Sequence, residues 1–190
     1  YDELDERCKI GIGATVDTRY PILDNSFAGV VLIGYHARAS AENAVLAHTY
    51  SSVAYQYIKV NGMELGEIGL DAAVAGAYGV PVIFVSSDDK GVAEAKSILP
   101  WIETVETKQS FAYTRIVSKH PKTVVKEIFA GVQNAVKRLA EMKCFDVPGP
   151  VDVEIRYRRM DAAKHAKSID MDGNPFAFKD GYTRTGKLKK

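Results

Sequence analysis

The stretch Gly29–Gly76 decides the fold, and it contains GVVLIGYHARAS (29–40), LAHTY (46–50) and VNGMELGEIGLDAAVAG (60–76). The apolar run Val30–Tyr35 predicts a strand buried on both faces, as in a parallel sheet. Asn61-Gly62 predicts a tight hairpin turn, because both central positions of a type I′ turn need positive φ. The segment 67–78 has apolar residues close to helical spacing, and Gly79 with Pro81 marks the end of that helix.

The rest of the chain alternates between predicted strands and helices. Val80–Val85 predicts a second buried strand, and polar residues 107–110 separate two further strand candidates. The strand candidates are Cys8–Val16, Val53–Val60, Met63–Leu65, Trp101–Glu106, Phe111–Val117, Val151–Tyr157 and Phe176–Phe178; the helix candidates are a turn or two at Ala41–Ala47 and the segments 90–99, 121–142 and 161–168. In the helix that starts at Pro121, one apolar stripe combines Val125, Ile128, Phe129, Val132, Val136 and Leu139.

This alternation predicts an α/β fold with a mostly parallel sheet sandwiched by helices. A C-terminal α+β portion carries an antiparallel strand at 151–157, where apolar and charged residues alternate. We expect residues 1–147 to form the core and residues 148–190 to add a strand-helix-strand extension to the same domain.

Composition narrows the classes of function. The 190 residues carry a net charge of +1, which does not favour nucleic acid or a membrane surface as a partner. No apolar run approaches the ~20 residues that span a bilayer, and the charged end RTGKLKK (184–190) is expected to be solvated. Cys8 and Cys144 offer no disulfide framework, which suits a reducing cytoplasm.

Three residues of the opening stretch are candidate metal donors. His36 follows a predicted strand at the sheet edge where α/β proteins bind ligands, although a structural histidine would also fit. His48 lies on a small, polar segment, where a solvent-facing histidine is the alternative. Glu67 begins a predicted helix, but its neighbours Glu64 and Asp71 are equally plausible on spacing alone.

Other polar residues have simpler explanations. Asp88 and Asp89 follow a buried strand and open a helix, so capping explains them. His120 and His165 are expected at the surface. The sequence contains no glycine-rich phosphate loop, no Gly-x-Ser-x-Gly and no His-Glu-x-x-His motif.

Three segments together resemble the D-aminopeptidase family of zinc metallopeptidases: GYHARAS (34–40), AHTYS (47–51) and NGMELGEIGLDAAVAGAYGVPVIFVSSDD (61–89). The likeness continues more weakly through KQSFAYTR (108–115), the next helix and the strand at 151–160. The resemblance implies a cytoplasmic, ring-forming homo-oligomer that removes N-terminal D-residues from short peptides at a two-zinc site. It also implies that His36 and Glu67 are zinc ligands and that His48 is the catalytic nucleophile or base.

The chain departs from the family pattern in one respect. The Asp-x-Glu-Gly motif and the Asp-Ser-His segment, which supply further ligands in the family, do not occur in it. We therefore expect this chain to be a fragment of a longer enzyme. On its own, the chain should bind at most one metal ion, and bind it weakly. The alternatives are a metallohydrolase of other small amides on the same scaffold and a metal-free binding or assembly protein.

Overall fold

A computed structural model describes residues 4–13 and 19–189. The strands there are β1 (Val30–Ile33), β2 (Tyr55–Val60), β3 (Met63–Leu65), β4 (Val82–Asp88), β5 (Glu103–Ala112), β6 (Arg115–Ser118), β7 (Val151–Tyr157), β8 (Ala177–Phe178) and β9 (Thr183–Leu188). The α-helices are α1 (Glu67–Ala77), α2 (Asp89–Ile98), α3 (Pro121–Lys137) and α4 (Met160–Lys164), and a 3-10 turn covers Leu139–Glu141. Among these helices, none combines the length and apolar character that crossing a membrane requires.

Sheet A, with strand order β1-β4-β5-β6, lies between helices. Its first three strands are parallel and β6 is antiparallel. Every residue of β4 is buried. Val82 and Val85 pack with α1 and α2 in one apolar cluster, whereas Ile83 and Phe84 pack with α3 in another. This confirms the predicted α/β class, with a mostly parallel sheet whose central strand β4 is packed against helices on both sides.

Sheet B is antiparallel and has the order β3-β2-β7-β9-β8. Its β2–β3 hairpin turns at Asn61 and Gly62, whose φ angles are 49° and 80°. The hairpin predicted from Asn-Gly is therefore confirmed. Because β2 and β3 join the C-terminal strands β7, β8 and β9, sheet B draws on both sides of residue 148. The proposed boundary between residues 147 and 148 stays a prediction.

The prediction that β1 is buried on both faces is wrong for the described residues. Val31 is 36% exposed and Ile33 is 60% exposed, whereas Leu32 is buried. In the part of the chain that the structure describes, β1 pairs with β4 alone and is an edge strand of sheet A. The outward residues are exposed because no described element covers their side.

Residues 107–110 do not interrupt β5, contrary to the prediction of two separate strands. Their polar groups are satisfied by the neighbouring strand and helix. The Thr107 hydroxyl donates to the Ser87 carbonyl oxygen at 3.0 Å, and the Ser110 hydroxyl donates to Asp88 Oδ2 at 2.6 Å. Asp88 also caps α2, because its Oδ1 accepts the Gly91 N–H. A continuous strand can therefore carry this polar run inside the sheet.

The charged end predicted to be solvated forms β9, which lies between β7 and β8. Arg184 is buried there, at 7% exposure. Its guanidinium donates to the carbonyl oxygens of Ala163, Ala166 and Phe176. These three acceptors replace water around the charge, which explains how this arginine enters the sheet.

Helix α3 divides the apolar stripe that its sequence predicts. Ile128, Val132 and Leu139 pack against sheet A. Val125, Phe129 and Val136 face outward, with exposures of 67%, 65% and 51%. Two other predicted elements differ from the structure. The strand predicted at 8–16 is absent from its described part, 8–13, and residues 14–16 lie outside the described residues. The helical turn predicted at Ala41–Ala47 is absent as well.

Close packing fixes the position of α1. Gly76 lies against the Phe145 backbone, where a Cβ would come within 2.3 Å of the carbonyl oxygen. Gly76 therefore allows the helix to approach this backbone closely, whereas Gly69 meets the side chains of Leu65 and Ile98. Gly79 follows the helix at a φ of 77°, and its N–H donates to the Gly76 carbonyl, as a helix stop requires.

Candidate metal centre

His36 lies just beyond β1, at the carboxyl edge of the parallel part of sheet A. Strand β4 holds the turn that carries it. The Tyr35 N–H donates to the Ser86 carbonyl oxygen at 3.0 Å, and the Gly34 N–H donates to Ser86 Oγ at 3.0 Å. Gly34 has a φ of 75°, which glycine adopts without strain. The end of strand β1 therefore places the imidazole at the edge where α/β sheets bind ligands.

His48 is carried by an irregular but ordered loop rather than by a helical turn. Ala37, Ala44 and Ala47 pack together inside the loop. The buried Thr49 accepts the Ala39 N–H at 3.2 Å. Small side chains let the loop fold back on itself, and this brings His48 to the turn after β1.

Glu67 is the first residue of α1 and is buried, at 9% exposure. Gly66 precedes it as the N-cap and offers no side-chain cap. The Glu67 carboxylate lies at the positive end of the helix dipole, which favours its charged form. Its Oε1 accepts the Tyr50 N–H at 2.9 Å, so the loop that carries His48 is tied directly to this carboxylate.

The three predicted residues meet at one point. Glu67 Oε1 lies 3.5 Å from His36 Nε2 and 3.6 Å from His48 Nε2. All three donor atoms lie within 4.8 Å of one another, and the two imidazole rings stack at 3.8 Å between centroids. A tetrahedral zinc ion with bonds of about 2.05 Å holds its ligand atoms ~3.3 Å apart. The observed spacings to Glu67 are close to that value.

The second nitrogen of each ring fixes its orientation. His36 Nδ1 lies 3.1 Å from the Ala37 carbonyl oxygen, and His48 Nδ1 lies 2.6 Å from the Leu46 carbonyl oxygen. Because a carbonyl only accepts hydrogen bonds, Nδ1 carries the hydrogen in both rings. The Nε2 lone pair of each neutral ring then faces Glu67, as in histidines that bind metals. The donor set and its orientation fit a zinc ion.

A buried polar network occupies the other oxygen of Glu67. Arg19 Nη2 donates to Glu67 Oε2 at 3.0 Å, and the same guanidinium makes two hydrogen bonds of 3.0 Å to Asp71. Asp71 is fully buried and also accepts the Tyr35 hydroxyl at 2.7 Å. Since Arg19 holds Oε2, Glu67 presents a single oxygen, Oε1, to the two imidazoles.

These contacts change the acidity of the site. Burial alone would raise the pKa of Glu67. The hydrogen bonds from His36 and the Tyr50 N–H and the charges of His36 and Arg19 outweigh burial, and together they lower this pKa to about 2. Burial lowers the pKa of His36, but the contacts with Glu67 and the Ala37 carbonyl outweigh it, so the pKa is raised above 6.5. In the metal-free protein both shifts favour the charged pair of a His36 imidazolium and a Glu67 carboxylate.

We expect the pKa of His36 in metal-free protein to lie above 6.5 and to fall below 6.5 in the Glu67→Gln variant. Without the carboxylate charge, burial becomes the main influence on the imidazole. An NMR titration of the imidazole carbons in EDTA measures both values. Glu64→Gln is the matched control and should leave the pKa of His36 raised. A value below 6.5 in the unaltered protein would contradict the ion pair.

The same shifts define a window of pH for the stability of the metal-free protein. The contribution of His36 is fully present below pH 6.5 and is lost as pH rises through its raised folded pKa. The contribution of Glu67 is present above pH 4.5 and is lost as pH falls toward 2. The pair therefore stabilises the metal-free fold most between about pH 4.5 and 6.5.

The structure separates Glu67 from the alternatives that spacing left open. Glu64 bonds Ser40 at the surface, and Asp71 pairs with Arg19. Asp88 caps α2, as predicted, whereas Asp89 accepts the Ser110 N–H from β5. His120 and His165 are exposed, as predicted.

Sequence reasoning missed Arg19, the two tyrosines Tyr35 and Tyr50, and Glu94 on α2. The four-residue spacing of Glu67 and Asp71 on a predicted helix places both on one face and could have indicated a shared cation. The sequence around Arg19 contains no comparable signal.

An α/β sheet that brings two imidazoles and a carboxylate together at its carboxyl edge defines a protein with a candidate metal centre. The chain belongs to the D-aminopeptidase family, since the model of that family matches residues 1–173. The resemblance found in the sequence is therefore confirmed.

Two relatives from Bacillus subtilis place the chain within that family. A D-aminopeptidase of strain 168 is 37% identical over 99 residues, which are 52% of this chain and 35% of that protein. A solved structure, the zinc-dependent D-aminopeptidase DppA, described as a self-compartmentalizing protease, matches with a TM-score of 0.81 and 27% identity. That match covers 88% of this chain and 60% of DppA, so the chain spans only part of either relative.

Proposed function

We propose that the protein is a zinc-dependent aminopeptidase that removes N-terminal D-amino acids from short peptides. This chain carries one part of its metal centre. The observation that supports the proposal most is the convergence of His36, His48 and Glu67 within 4.8 Å. Membership of the D-aminopeptidase family supports the reaction class, and the zinc dependence of DppA supports the metal.

Two of the three donors would hold zinc. His36 offers Nε2, because its Nδ1 is bonded to a carbonyl oxygen, and Glu67 offers Oε1, because Arg19 holds its other oxygen. When bound, zinc polarises a scissile carbonyl and makes water a better nucleophile at neutral pH. The family implies two zinc ions in a complete protomer. The donors in this chain suffice for one.

His48 would move the proton. Its Nδ1 hydrogen is anchored on the Leu46 carbonyl, so Nε2 is free to take a proton from the attacking water or to form a bond itself. The same nitrogen can then return a proton to the leaving amine, which is how a general base becomes a general acid in peptide hydrolysis. Direct attack by Nε2 on the carbonyl is the other form of this proposal.

The proposal also includes the oligomeric state of the protein. DppA is described as self-compartmentalizing, and we propose that this protein forms a homo-oligomeric ring that limits access to short peptides. The outward residues of α3, Val125, Phe129 and Val136, provide apolar surface for contact between copies. A cytoplasmic location stays a prediction from the cysteine content.

Zinc binding and substrate preference test the proposal together. We expect isothermal titration to give one zinc ion per chain for the unaltered protein and for His165→Ala, a control at an exposed histidine that directly follows α4. Glu67→Ala should lose that binding, because it leaves His36 as the only ligand assigned to the metal. With the full-length enzyme, a panel of D- and L-aminoacyl amides should show hydrolysis of the D-forms only.

The outcomes separate the proposal from its alternatives. Hydrolysis of L-forms or of unrelated amides would indicate a different metallohydrolase. No zinc binding and no hydrolysis would indicate a metal-free binding or assembly protein. Two zinc ions in this chain alone would refute the view that it carries only part of the centre.

A further inference from the structure

Glu94 is a buried carboxylate that the proposed chemistry does not use. It lies in the middle of α2, and its side chain is only 2% exposed. A carboxylate is rarely buried this deeply unless other groups hold it. The identity of its partners therefore indicates what the residue does.

One oxygen of Glu94 holds the segment that follows His36. Glu94 Oε2 accepts the Arg38 backbone N–H at 2.8 Å, and the Arg38 guanidinium lies 3.8 Å away. Arg38 comes two residues after His36, so this bond fixes the chain directly beside the imidazole. A bond to the backbone restrains the path of the loop more directly than a contact between two flexible side chains.

The other oxygen of Glu94 faces the residue before Glu67. Oε1 is buried and has no hydrogen-bond partner among the described residues. It lies against Gly66, where an added Cβ would come within 2.4 Å of it. Because Gly66 is the N-cap of α1 and Glu67 is its first residue, Glu94 contacts the point at which the ligand helix begins.

We propose that Glu94 is the positioning residue of the metal centre, which holds the segment of His36 and the start of α1 at the spacing that a metal ion requires. This inference rests on the proposed metal-binding function. His36 and Glu67 lie on separate elements, and their 3.5 Å approach depends on how those elements are placed. One carboxylate that contacts both segments sets that placement. Residues behind the ligands of a metal commonly change its affinity by 10–100-fold.

Two substitutions at Glu94 distinguish the effect of side-chain length from the effect of side-chain charge. Glu94→Asp keeps the charge but shortens the side chain by one methylene, so it cannot touch both segments. We expect it to weaken zinc binding about tenfold, in the range of residues that support ligands. Glu94→Gln keeps the length and can still accept the Arg38 N–H, so its loss of affinity should be smaller.

The matched control is Glu64→Gln. Glu64 also lies near Arg38, at 3.6 Å from its guanidinium, but it does not hold the backbone of either segment. Its zinc affinity should therefore equal that of the unaltered chain. Chelator competition measures the affinities, and the absorption spectrum of the Co²⁺ form should change in Glu94→Asp because the ligand geometry changes.

A merely structural role for Glu94 would lower the melting temperature and leave the zinc affinity of the folded protein unchanged. That result for Glu94→Asp would overturn the proposal. If Glu94→Asp does not fold, unchanged affinity in Glu94→Gln together with an unchanged Co²⁺ spectrum would overturn it as well.

Failure of the proposed function has a different signature. If the unaltered chain binds no zinc, the metal-binding proposal fails, and the metal-free protein still tests Glu94. At a pH above the pKa of His36, where the ring is neutral, the ¹⁵N shifts of His36 should report a hydrogen on Nδ1 in the unaltered protein and a mixture of tautomers in Glu94→Asp. Identical shifts in the two proteins would reject the positioning role.

Discussion

Replacing His48 with alanine is expected to lower kcat for hydrolysis of a D-aminoacyl amide by about 10³-fold in the full-length enzyme, while zinc stays bound. General acid–base groups contribute about 10²–10⁴-fold, and His48 Nε2 lies 3.6 Å from Glu67 Oε1, beside the place where a metal and its substrate would meet. The measurement is steady-state kinetics, with zinc content determined in parallel. His165→Ala should retain full activity.

This variant also decides between two roles that the geometry alone allows for His48. His36 Nε2 and His48 Nε2 lie at nearly equal distances from Glu67 Oε1, 3.5 Å and 3.6 Å. If His48 is a third metal ligand rather than the proton carrier, zinc content will fall together with activity in His48→Ala. Full peptidase activity in this variant would show that neither role is correct.

Asp71→Ala is expected to lower the free energy of unfolding of the metal-free protein by about 3 kcal/mol. Removing one partner of a buried ion pair costs about 3–5 kcal/mol because the other charge is left uncompensated. Arg19 keeps its bond to Glu67 and is 41% exposed, so part of that cost is recovered, and we take the lower end of the range. Tyr35 also loses the acceptor of its hydroxyl. Urea denaturation monitored by circular dichroism measures the change.

Asp152→Ala is the matched control for this loss of stability. Asp152 pairs with Lys187 at 3.6 Å, but both side chains are more than 60% exposed. An exposed pair contributes under about 1 kcal/mol, so this variant should unfold almost as the unaltered protein does. Equal effects of the two substitutions on the free energy of unfolding would show that burial does not determine how much Asp71 contributes to stability.

The sequence could predict those parts of the fold that are determined by a few neighbouring residues. An uninterrupted apolar run indicated β4, Asn-Gly indicated the hairpin, and glycine before proline indicated the end of α1. His36 could be placed at the sheet edge because it directly follows an apolar run. In each case the cause lies within a few residues of the element.

The remaining features depend on partners that are distant in sequence. Arg184 enters a strand because three carbonyl oxygens from elsewhere surround its guanidinium. Spacing could not choose among Glu64, Glu67 and Asp71, since the choice depends on Ser40 and Arg19. Burial of β1 was predicted from its composition alone, but composition does not determine what covers a face.

The composition of sheet B has a consequence for how the chain matures during synthesis. Sheet A uses strands between Val30 and Ser118, so these strands can pair before β7 and β9 leave the ribosome. Sheet B cannot, because β2 pairs with β7, with Tyr55 opposite Tyr157, and β7 pairs in turn with β9. The β2–β3 hairpin, which leads directly into α1 and Glu67, is therefore synthesised before β7, the strand that pairs with β2 in the folded protein. Long-range pairing of this kind is slow and leaves strand edges open. The nascent chain is thus open to mispairing at the hairpin that precedes Glu67.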